Sequence, residues 1–186
     1  SKSAARRLFA AEETAISMPD ADIIYLSGIT LAILTSAARR RLVEVLISRR
    51  SAGAKVAFDS NYRPKLWENM AAARRMTQAM WDVTDIALPS VDDEMALFGD
   101  DTEAAVIHRF AGRDWDGIAI KRGMRGPVSP GLDLEAHPDF PAAARVIDTT
   151  AAGDSFNGGY LAAFLAGKGE AERLAAGHAL AARVVG

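Results

Sequence analysis

The stretch ADIIYLSGITLAILTSAARRRLVEVLISRRSAGAKVAFD, residues 21–59, indicates the fold class because it places an amphipathic segment between two short apolar runs. The runs at residues 21–27 and 54–59 have the composition of strands buried on both faces of a parallel sheet. Residues 36–50 predict a helix whose arginines face solvent and whose apolar face is formed by Leu42, Val43, Leu46 and Ile47. A strand, a crossover helix and a second strand are the repeating unit of an α/β protein.

The same alternation continues through the rest of the chain. We predict strands at residues 85–88 and 117–121, and helices at residues 64–81, 102–111, 154–166 and 170–184. Residues 124–144 are rich in proline and glycine and are compatible with either short strands or a long loop. This order of elements predicts one α/β domain with a mainly parallel sheet.

Composition and charge restrict the partners and the chemistry. The 22 Lys and Arg and 24 Asp and Glu residues are scattered without a basic stripe, so we expect no nucleic-acid partner and no anionic membrane surface. The absence of cysteine excludes disulfides and thiolate metal sites, and the three histidines are too isolated for a zinc site. No apolar run in the sequence reaches the ~20 residues that span a bilayer. We therefore expect a cytoplasmic protein that binds a small molecule.

Residues 146–160, VIDTTAAGDSFNGGY, place small residues and a glycine at the start of an apolar helix. Free backbone N–H groups and the positive end of the helix dipole can bind an anionic oxygen at such a place. Asp154, in the first turn, should be kept ionised by the same donors and could accept a proton from a substrate hydroxyl. A simpler interpretation stays open, in which Asp154 or Thr150 only caps the helix and Gly153 only permits a tight turn.

Residues 148–161, DTTAAGDSFNGGYL, resemble the second signature of the PfkB carbohydrate kinases, whose core is D-T-x-G-A-G-D. The resemblance implies that Asp154 is the catalytic base and that the anion hole for the transferring phosphate is formed by Ala151, Ala152 and Gly153. Ala151 stands where the family usually has glycine, and this A-A-G-D form is similar to that of bacterial 2-keto-3-deoxygluconate kinases. The resemblance also implies that Thr150 and Gly153 contact ATP and that Mg²⁺ accompanies the nucleotide.

Residues 58–67, FDSNYRPKLW, place Asn61 and Arg63 at the carboxyl end of a predicted strand, the edge at which open α/β sheets bind ligands. A guanidinium offers a planar pair of donors to a carboxylate or phosphate, although a plain turn with a solvated arginine is the open alternative. The string F-D-x-N-x-R-P-x-L-W is similar to the corresponding segment of 2-keto-3-deoxygluconate kinases. That similarity implies that an acidic sugar is bound by Asn61 and Arg63 together with Asp154.

Two further segments resemble PfkB motifs in the expected order. Residues 85–94, DIALPSVDDE, carry Ser90 and Asp93 where most members have the asparagine and glutamate of P-N-x-x-E. This implies that Ser90 contacts the nucleotide and that Asp93 or Glu94 holds Mg²⁺ through water, although acids in the first turn of a helix also have a purely structural explanation in the dipole. Residues 117–126, GIAIKRGMRG, resemble K-x-G-x-x-G, which implies that the nucleotide is lined by Lys121, Gly123 and Gly126.

The resemblance covers most of the chain and implies a ribokinase-like three-layer αβα sandwich with a mainly parallel sheet. Members of the family are longer at the amino terminus, so we expect residues 1–186 to be the carboxyl-terminal part of one kinase domain, lacking the first strands and the lid. An uncovered sheet edge predicts a homo-oligomer, and the missing substrate contacts predict weak catalysis by this chain alone.

The implied function is ATP-dependent phosphorylation of 2-keto-3-deoxygluconate to its 6-phosphate, with the sugar acid and ATP as small-molecule partners. Another PfkB sugar kinase, such as a fructokinase, and a non-catalytic nucleotide-binding protein are the alternatives. The sequence contains no G-x-x-x-x-G-K-[ST] motif, which excludes a P-loop kinase.

Overall fold

The computed structural model of the chain describes residues 18–132, 140–141 and 151–186. These residues contain a parallel sheet with the strand order β1-β2-β3-β4. The strands are β1 Ile23–Ser27, β2 Lys55–Asp59, β3 Ile86–Ala87 and β4 Gly117–Ile118. Each lies within an apolar run that the sequence predicted to be a strand, so the predicted parallel sheet is confirmed.

Helices connect the strands and follow the last of them. Those in the described residues are α1 Gly28–Ile33, α2 Ser36–Ser51, α3 Met70–Trp81, α4 Val91–Phe98, α5 Glu103–Ala111, α6 Ala152–Leu165 and α7 Glu170–Val185. The helix predicted over residues 64–81 is instead a 3₁₀ turn, Pro64–Leu66, followed by α3. The reason is Asn69, whose side chain accepts the Ala72 N–H at 2.8 Å and so caps a new helix.

Different helices cover the two faces of the sheet. Val56 and Phe58 of β2 pack with apolar side chains of α1 to α5 on one face. Ala57, whose side chain points the opposite way, packs with α6 and α7 on the other face. The helices between consecutive strands all lie on one face of the sheet. This is expected because the strands are in sequential order and the strand–helix–strand connections all have the same handedness. The result is the predicted three-layer αβα sandwich.

Arg39 is an exception to the predicted solvent-facing arginines of α2. Its side chain is buried, and its guanidinium donates to the carbonyls of Leu31 and Ala32 at 2.7 and 3.3 Å and to Glu68 at 3.0 Å. The same guanidinium stacks over the Trp67 ring, 4.5 Å from its centroid. Arg39 therefore ties α1 to the segment after β2, a role that a helical pattern alone does not distinguish from solvation.

Gly28 sets the distance between the end of β1 and the end of β2. A Cβ atom at this position would lie 1.9 Å from the Ser60 carbonyl oxygen and 3.2 Å from that of Asn61. A side chain there would push the two strand ends apart, so glycine is required by the close approach of the two backbones. This approach brings the polar residues that follow β1 and β2 to one edge of the sheet.

The segment after β4 extends the sheet briefly. Ile120 and Val128 exchange backbone hydrogen bonds of 2.8 and 3.0 Å in an antiparallel bridge, so the start of the proline- and glycine-rich region is strand-like. Most of residues 133–150 lie outside the described residues. Within the described part of the chain, no helix combines the length and apolarity needed to cross a bilayer.

Candidate active site

A cluster of polar side chains lies where the middle of β1, the carboxyl end of β2, the segment that follows β4 and the first turns of α6 meet. We call it the polar cluster; its members are Tyr25, Asp59, Lys121 and Asn157. Asp59 and Lys121 each lie two residues beyond a core alanine that packs against α6 and α7. Because side chains alternate along a strand, both are directed to the same face as those alanines.

The cluster is a hydrogen-bonded ion pair with a bridging amide. Lys121 Nζ donates to Asp59 Oδ2 at 2.6 Å and to Asn157 Oδ1 at 3.1 Å. The Asn157 amide nitrogen donates to the same Asp59 oxygen at 2.6 Å and to the Tyr25 hydroxyl at 2.9 Å. The second Asp59 oxygen accepts the Asn61 N–H at 3.1 Å. Asp59 and Asn157 are 3% and 1% exposed, and both oxygens of the buried Asp59 carboxylate accept hydrogen bonds, the condition under which a buried charge is tolerated.

Tyr25 is kept as a neutral hydroxyl within this cluster. Burial, and next the neighbouring Asp59 carboxylate, raise the pKa of Tyr25 above its usual value. The hydroxyl can therefore serve as a hydrogen-bond partner over the physiological pH range without acting as a base.

The start of α6 has the backbone geometry of an anion site. Ala151 is the N-cap with φ 65° and ψ 3°, a left-handed conformation, and its methyl side chain accepts no hydrogen bond. The Ser155 N–H donates to the Ala151 carbonyl at 2.8 Å, whereas the three preceding N–H groups have no acceptor within the helix. Asp154 is exposed and is not the capping residue, so the simple capping interpretation does not apply to it.

Lys121 lies beside this helix start. A Cβ atom built on Gly153 would be 3.9 Å from Lys121 Nζ, which brings a cation next to the free N–H groups of α6. An ammonium and a helix amino terminus together favour a bound anion. Thr150, which was predicted to contact ATP, lies outside the described residues.

Arg63 and Asn61 lie at the same edge, directly after β2. Arg63 Nη1 donates to the Tyr62 carbonyl at 2.9 Å and lies 3.5 Å from Asp93 Oδ1, with 53% of its side chain exposed. Asn61 has φ 29°, and its buried Oδ1 has no hydrogen-bond partner among the described residues. A half-exposed guanidinium whose only carboxylate contact is long and an unpaired amide oxygen are both groups that a polar ligand could engage.

The two candidate magnesium ligands have different surroundings. Glu94 is fully buried; burial raises its pKa to about 7, against the lowering effect of Arg109, whose Nη1 lies 2.9 Å from Glu94 Oε2. Asp93 is half-buried and faces Arg63; burial raises its pKa above the usual value, while Arg63 opposes the shift. In the described residues, no group of three or more His, Asp and Glu side chains is arranged to hold a metal ion.

The predicted nucleotide-binding residues lie next to one another along the sheet edge. Ser90 pairs with Lys121 in a parallel bridge, in which Lys121 N donates to the Pro89 carbonyl at 2.8 Å. A 3₁₀ turn, Gly123–Arg125, follows Lys121; its first residue Gly123 and the following Gly126 have φ of 59° and 74°. The structure thus brings together the predicted residues Ser90, Lys121, Gly123 and Gly126.

Three members of the polar cluster were not predicted as site residues. Asp59 is the last residue of a buried strand and lies two residues before Asn61, a position that could have identified it. Asn157 lies three residues after Asp154 and therefore shares its helix face. Tyr25 is one of several apolar residues in β1, and its hydroxyl carries no local signal that distinguishes it from a core side chain.

The chain is similar in sequence to known proteins. The chain matches the description "pfkB family carbohydrate kinase" over residues 3–186. It is 40% identical over 168 residues to the 2-dehydro-3-deoxygluconokinase of Escherichia coli K12, and 42% identical over 168 residues to that of Dickeya dadantii strain 3937. Each alignment covers 88% of this chain and 54% of the relative, so the chain spans about half the length of these curated relatives.

A solved structure shares the fold. The aminoimidazole riboside kinase of Salmonella enterica, crystallised with aminoimidazole riboside and an ATP analog, superposes with a TM-score of 0.70 and 27% sequence identity. The superposition covers 88% of this chain and 56% of that one.

Proposed function

Since the chain belongs to the pfkB family of carbohydrate kinases, we propose that it serves ATP-dependent phosphorylation of a sugar acid, converting 2-keto-3-deoxygluconate to its 6-phosphate. The observation that supports the chemistry best is the exposed Asp154 in the first turn of α6, beside free N–H groups and the Lys121 ammonium. The identity to two 2-dehydro-3-deoxygluconokinases supports the choice of substrate. Residues 1–186 are the carboxyl-terminal part of one ribokinase-like kinase domain in this proposal.

Asp154 acts as the general base. Its carboxylate takes the proton of the primary hydroxyl of the sugar acid, and that oxygen forms a bond to the γ-phosphorus of ATP while the bond to the β,γ-bridging oxygen breaks and ADP leaves. Negative charge on the oxygens of the transferring phosphoryl group is stabilised by the backbone N–H groups of the anion hole, which is formed by Ala151, Ala152 and Gly153. The left-handed Ala151 as N-cap and the free N–H groups of the first turn of α6 support this assignment.

The acidic sugar is recognised by Arg63 and Asn61. A substrate carboxylate can form two parallel hydrogen bonds with a guanidinium, a better partner than the single 3.5 Å contact to Asp93. The unpaired Asn61 Oδ1 can accept a substrate hydroxyl. A neutral sugar lacks the charge that Arg63 would pair with, so the proposal predicts discrimination against fructose.

MgATP is the second substrate and lies along Ser90, Lys121, Gly123 and Gly126, and Thr150, which is outside the described residues, is kept as a further predicted contact. Magnesium that arrives with a nucleotide keeps several waters and needs only one or two carboxylates from the protein. Asp93 fits this requirement because it lies at the edge of the site, whereas Glu94 is already paired with Arg109 in the interior. We therefore prefer Asp93 to Glu94 as the residue that contacts the hydrated ion.

A coupled ADP-release assay tests the proposal, with 2-keto-3-deoxygluconate and fructose compared on the purified chain and on the complete protein encoded by its gene. We expect turnover with the sugar acid and little with fructose, with the chain alone slower than the complete protein. Preference for fructose would assign the fructokinase alternative. ATP binding without transfer to either sugar would assign the non-catalytic alternative. Light scattering tests the expected homo-oligomer.

A further inference from the structure

Asn157 has bonding that its position on α6 does not require. Helix interiors accept asparagine poorly, and this one is 1% exposed. Its amide makes one hydrogen bond to each of Tyr25, Asp59 and Lys121, residues of three different elements. A buried side chain that joins separate elements through every polar atom it has is well placed to fix their relative positions.

One of the groups that Asn157 holds is the Lys121 ammonium. This ammonium has three N–H donors, of which Asp59 and Asn157 accept two, at 2.6 and 3.1 Å. Within the described residues the third has no acceptor, and the nitrogen lies beside Gly153 at the start of α6. Lysine has a flexible four-carbon stem, so an ammonium without such anchors would sample many positions.

We propose that Asn157 is a positioning residue that, with Asp59, holds the Lys121 ammonium against the start of α6, so that its third N–H meets the γ-phosphoryl group of ATP. This inference rests on the proposed function for the direction of transfer. It adds a cation to the backbone donors of the anion hole and explains why an amide bridges the Asp59–Lys121 pair. Asp59 lowers the net charge of the cluster, and Asn157 keeps that carboxylate and the ammonium in one fixed geometry.

The role predicts a binding preference as well as a rate effect. A cation directed at the γ-phosphoryl group stabilises ATP but not ADP, so the ratio of the Kd for MgADP to the Kd for MgATP measures it directly. The Asn157→Leu variant, similar in volume but unable to hydrogen bond, should lower this ratio and lower kcat by about 10- to 100-fold. The KM for the sugar acid should change little, since the hydrogen bonds of Asn157 go to Tyr25, Asp59 and Lys121 and not to Arg63.

Tyr160→Phe is the matched control. Tyr160 is fully buried on the same helix, and its hydroxyl donates to Glu170 at 2.8 and 2.9 Å, away from the polar cluster. This variant should lose stability while keeping the nucleotide preference and kcat. A loss of the preference in Tyr160→Phe as large as that in Asn157→Leu would show a general effect of loosening α6 and would overturn the proposal.

A double-mutant cycle separates action through Lys121 from other effects. If Asn157 acts through the ammonium, Asn157→Leu should change the nucleotide preference and kcat by less than about twofold in a Lys121→Met background. Equal losses with and without Lys121 would contradict the proposal. Because Lys121→Met leaves a buried carboxylate unpaired, its folding is checked by circular dichroism. If the single Lys121→Met variant does not fold, the background is Lys121→Met combined with Asp59→Asn, because this pair removes both charges.

These measurements also distinguish the inference from the proposed function. A protein that phosphorylates the sugar acid normally after Asn157→Leu supports the function and contradicts the role of Asn157. A protein that transfers phosphate to neither sugar, yet prefers ATP and loses the preference after Asn157→Leu, supports the role of Asn157 and contradicts the function.

Discussion

The Arg50 guanidinium clamps the Asp85 carboxylate at the amino-terminal edge of the sheet, with Nε 3.1 and 3.0 Å from its two oxygens and Nη2 2.6 Å from one of them. The Val56 N–H donates to the same carboxylate at 2.8 Å. Asp85 thus joins the end of α2 to β2 and β3, on the opposite edge from the candidate active site. Burial tends to raise the pKa of Asp85, but the bonds from Arg50 and Val56 outweigh it and hold the pKa below its usual value.

We expect Asp85→Asn to destabilise the protein by about 1–2 kcal/mol at neutral pH, because bonds to a charged acceptor become bonds to an amide. The pKa of Asp85 is lower in the folded protein than in the unfolded chain, where it is about 3.9. The ionised carboxylate therefore stabilises the protein at a pH above about 3.9, and this stability is lost as the pH falls through the folded pKa. Urea unfolding at pH 7 and below pH 4 measures both effects. The variant should approach the wild type at the lower pH.

Asp82→Asn is the control for this comparison. Asp82 pairs with Arg113 at 2.8 Å, but both side chains are substantially exposed, and an exposed pair contributes about 0–1 kcal/mol. Equal losses in the two variants at neutral pH would contradict the role assigned to the buried clamp.

Ala151→Gly should stabilise the protein. A left-handed conformation costs an alanine about 1–2 kcal/mol, and glycine avoids this cost. Glycine also makes the unfolded chain more flexible, which offsets about 0.4–1 kcal/mol of the gain in stability. We expect a net gain of roughly 0.5–1 kcal/mol in the free energy of unfolding, measured by chemical denaturation. Ala152→Gly, one residue into α6, should instead lose about 0.5–1 kcal/mol. If both variants lose stability, the left-handed geometry of Ala151 is wrong.

Asp154→Asn should remove the base while leaving the helix intact. We expect kcat to fall by about 10²- to 10⁴-fold, the usual contribution of a general base. The affinity for MgATP, measured by titration calorimetry, should be nearly unchanged because the amide is similar in size and the residue is exposed. Asp92→Asn, an exposed acid in the first turn of α4, is the control and should keep full activity. An active Asp154→Asn variant would remove Asp154 from this role.

Arg63→Met should act on the sugar acid and not on the nucleotide. The loss of a charge-assisted pair with the substrate carboxylate should raise KM for 2-keto-3-deoxygluconate by about 10- to 100-fold. Any turnover with fructose should be unaffected, since that sugar has no carboxylate. Lys65→Met, a change to an exposed cation two residues away, should alter neither substrate. A similar rise in KM for both sugars would indicate that Arg63 shapes the site but does not recognise the substrate carboxylate.

The elements of this fold follow from local patterns that the sequence contains. Apolar runs such as that at residues 54–59 identified each strand, and amphipathic spacing identified most of the helices but not the short α1. Such patterns are informative because the residues that bury one face of an element are close together in the chain. Likewise, small residues followed by Asp154 marked a helix start that could bind an anion. The inward turn of Arg39 escaped the same pattern, since its partners Leu31 and Glu68 come from outside its helix.

The sequence by itself therefore determined the α/β class, the helix start that carries Asp154, and the order of the segments along the site. Only the tertiary structure decided that Asn157 bonds to Tyr25, which is 132 residues distant, and to Asp59, which is 98 residues distant. The physical reason is that such contacts depend on how the strand ends and α6 pack together. No local period encodes the close approach of two backbones at Gly28, or the place between the sheet and α6 that the Asn157 amide occupies.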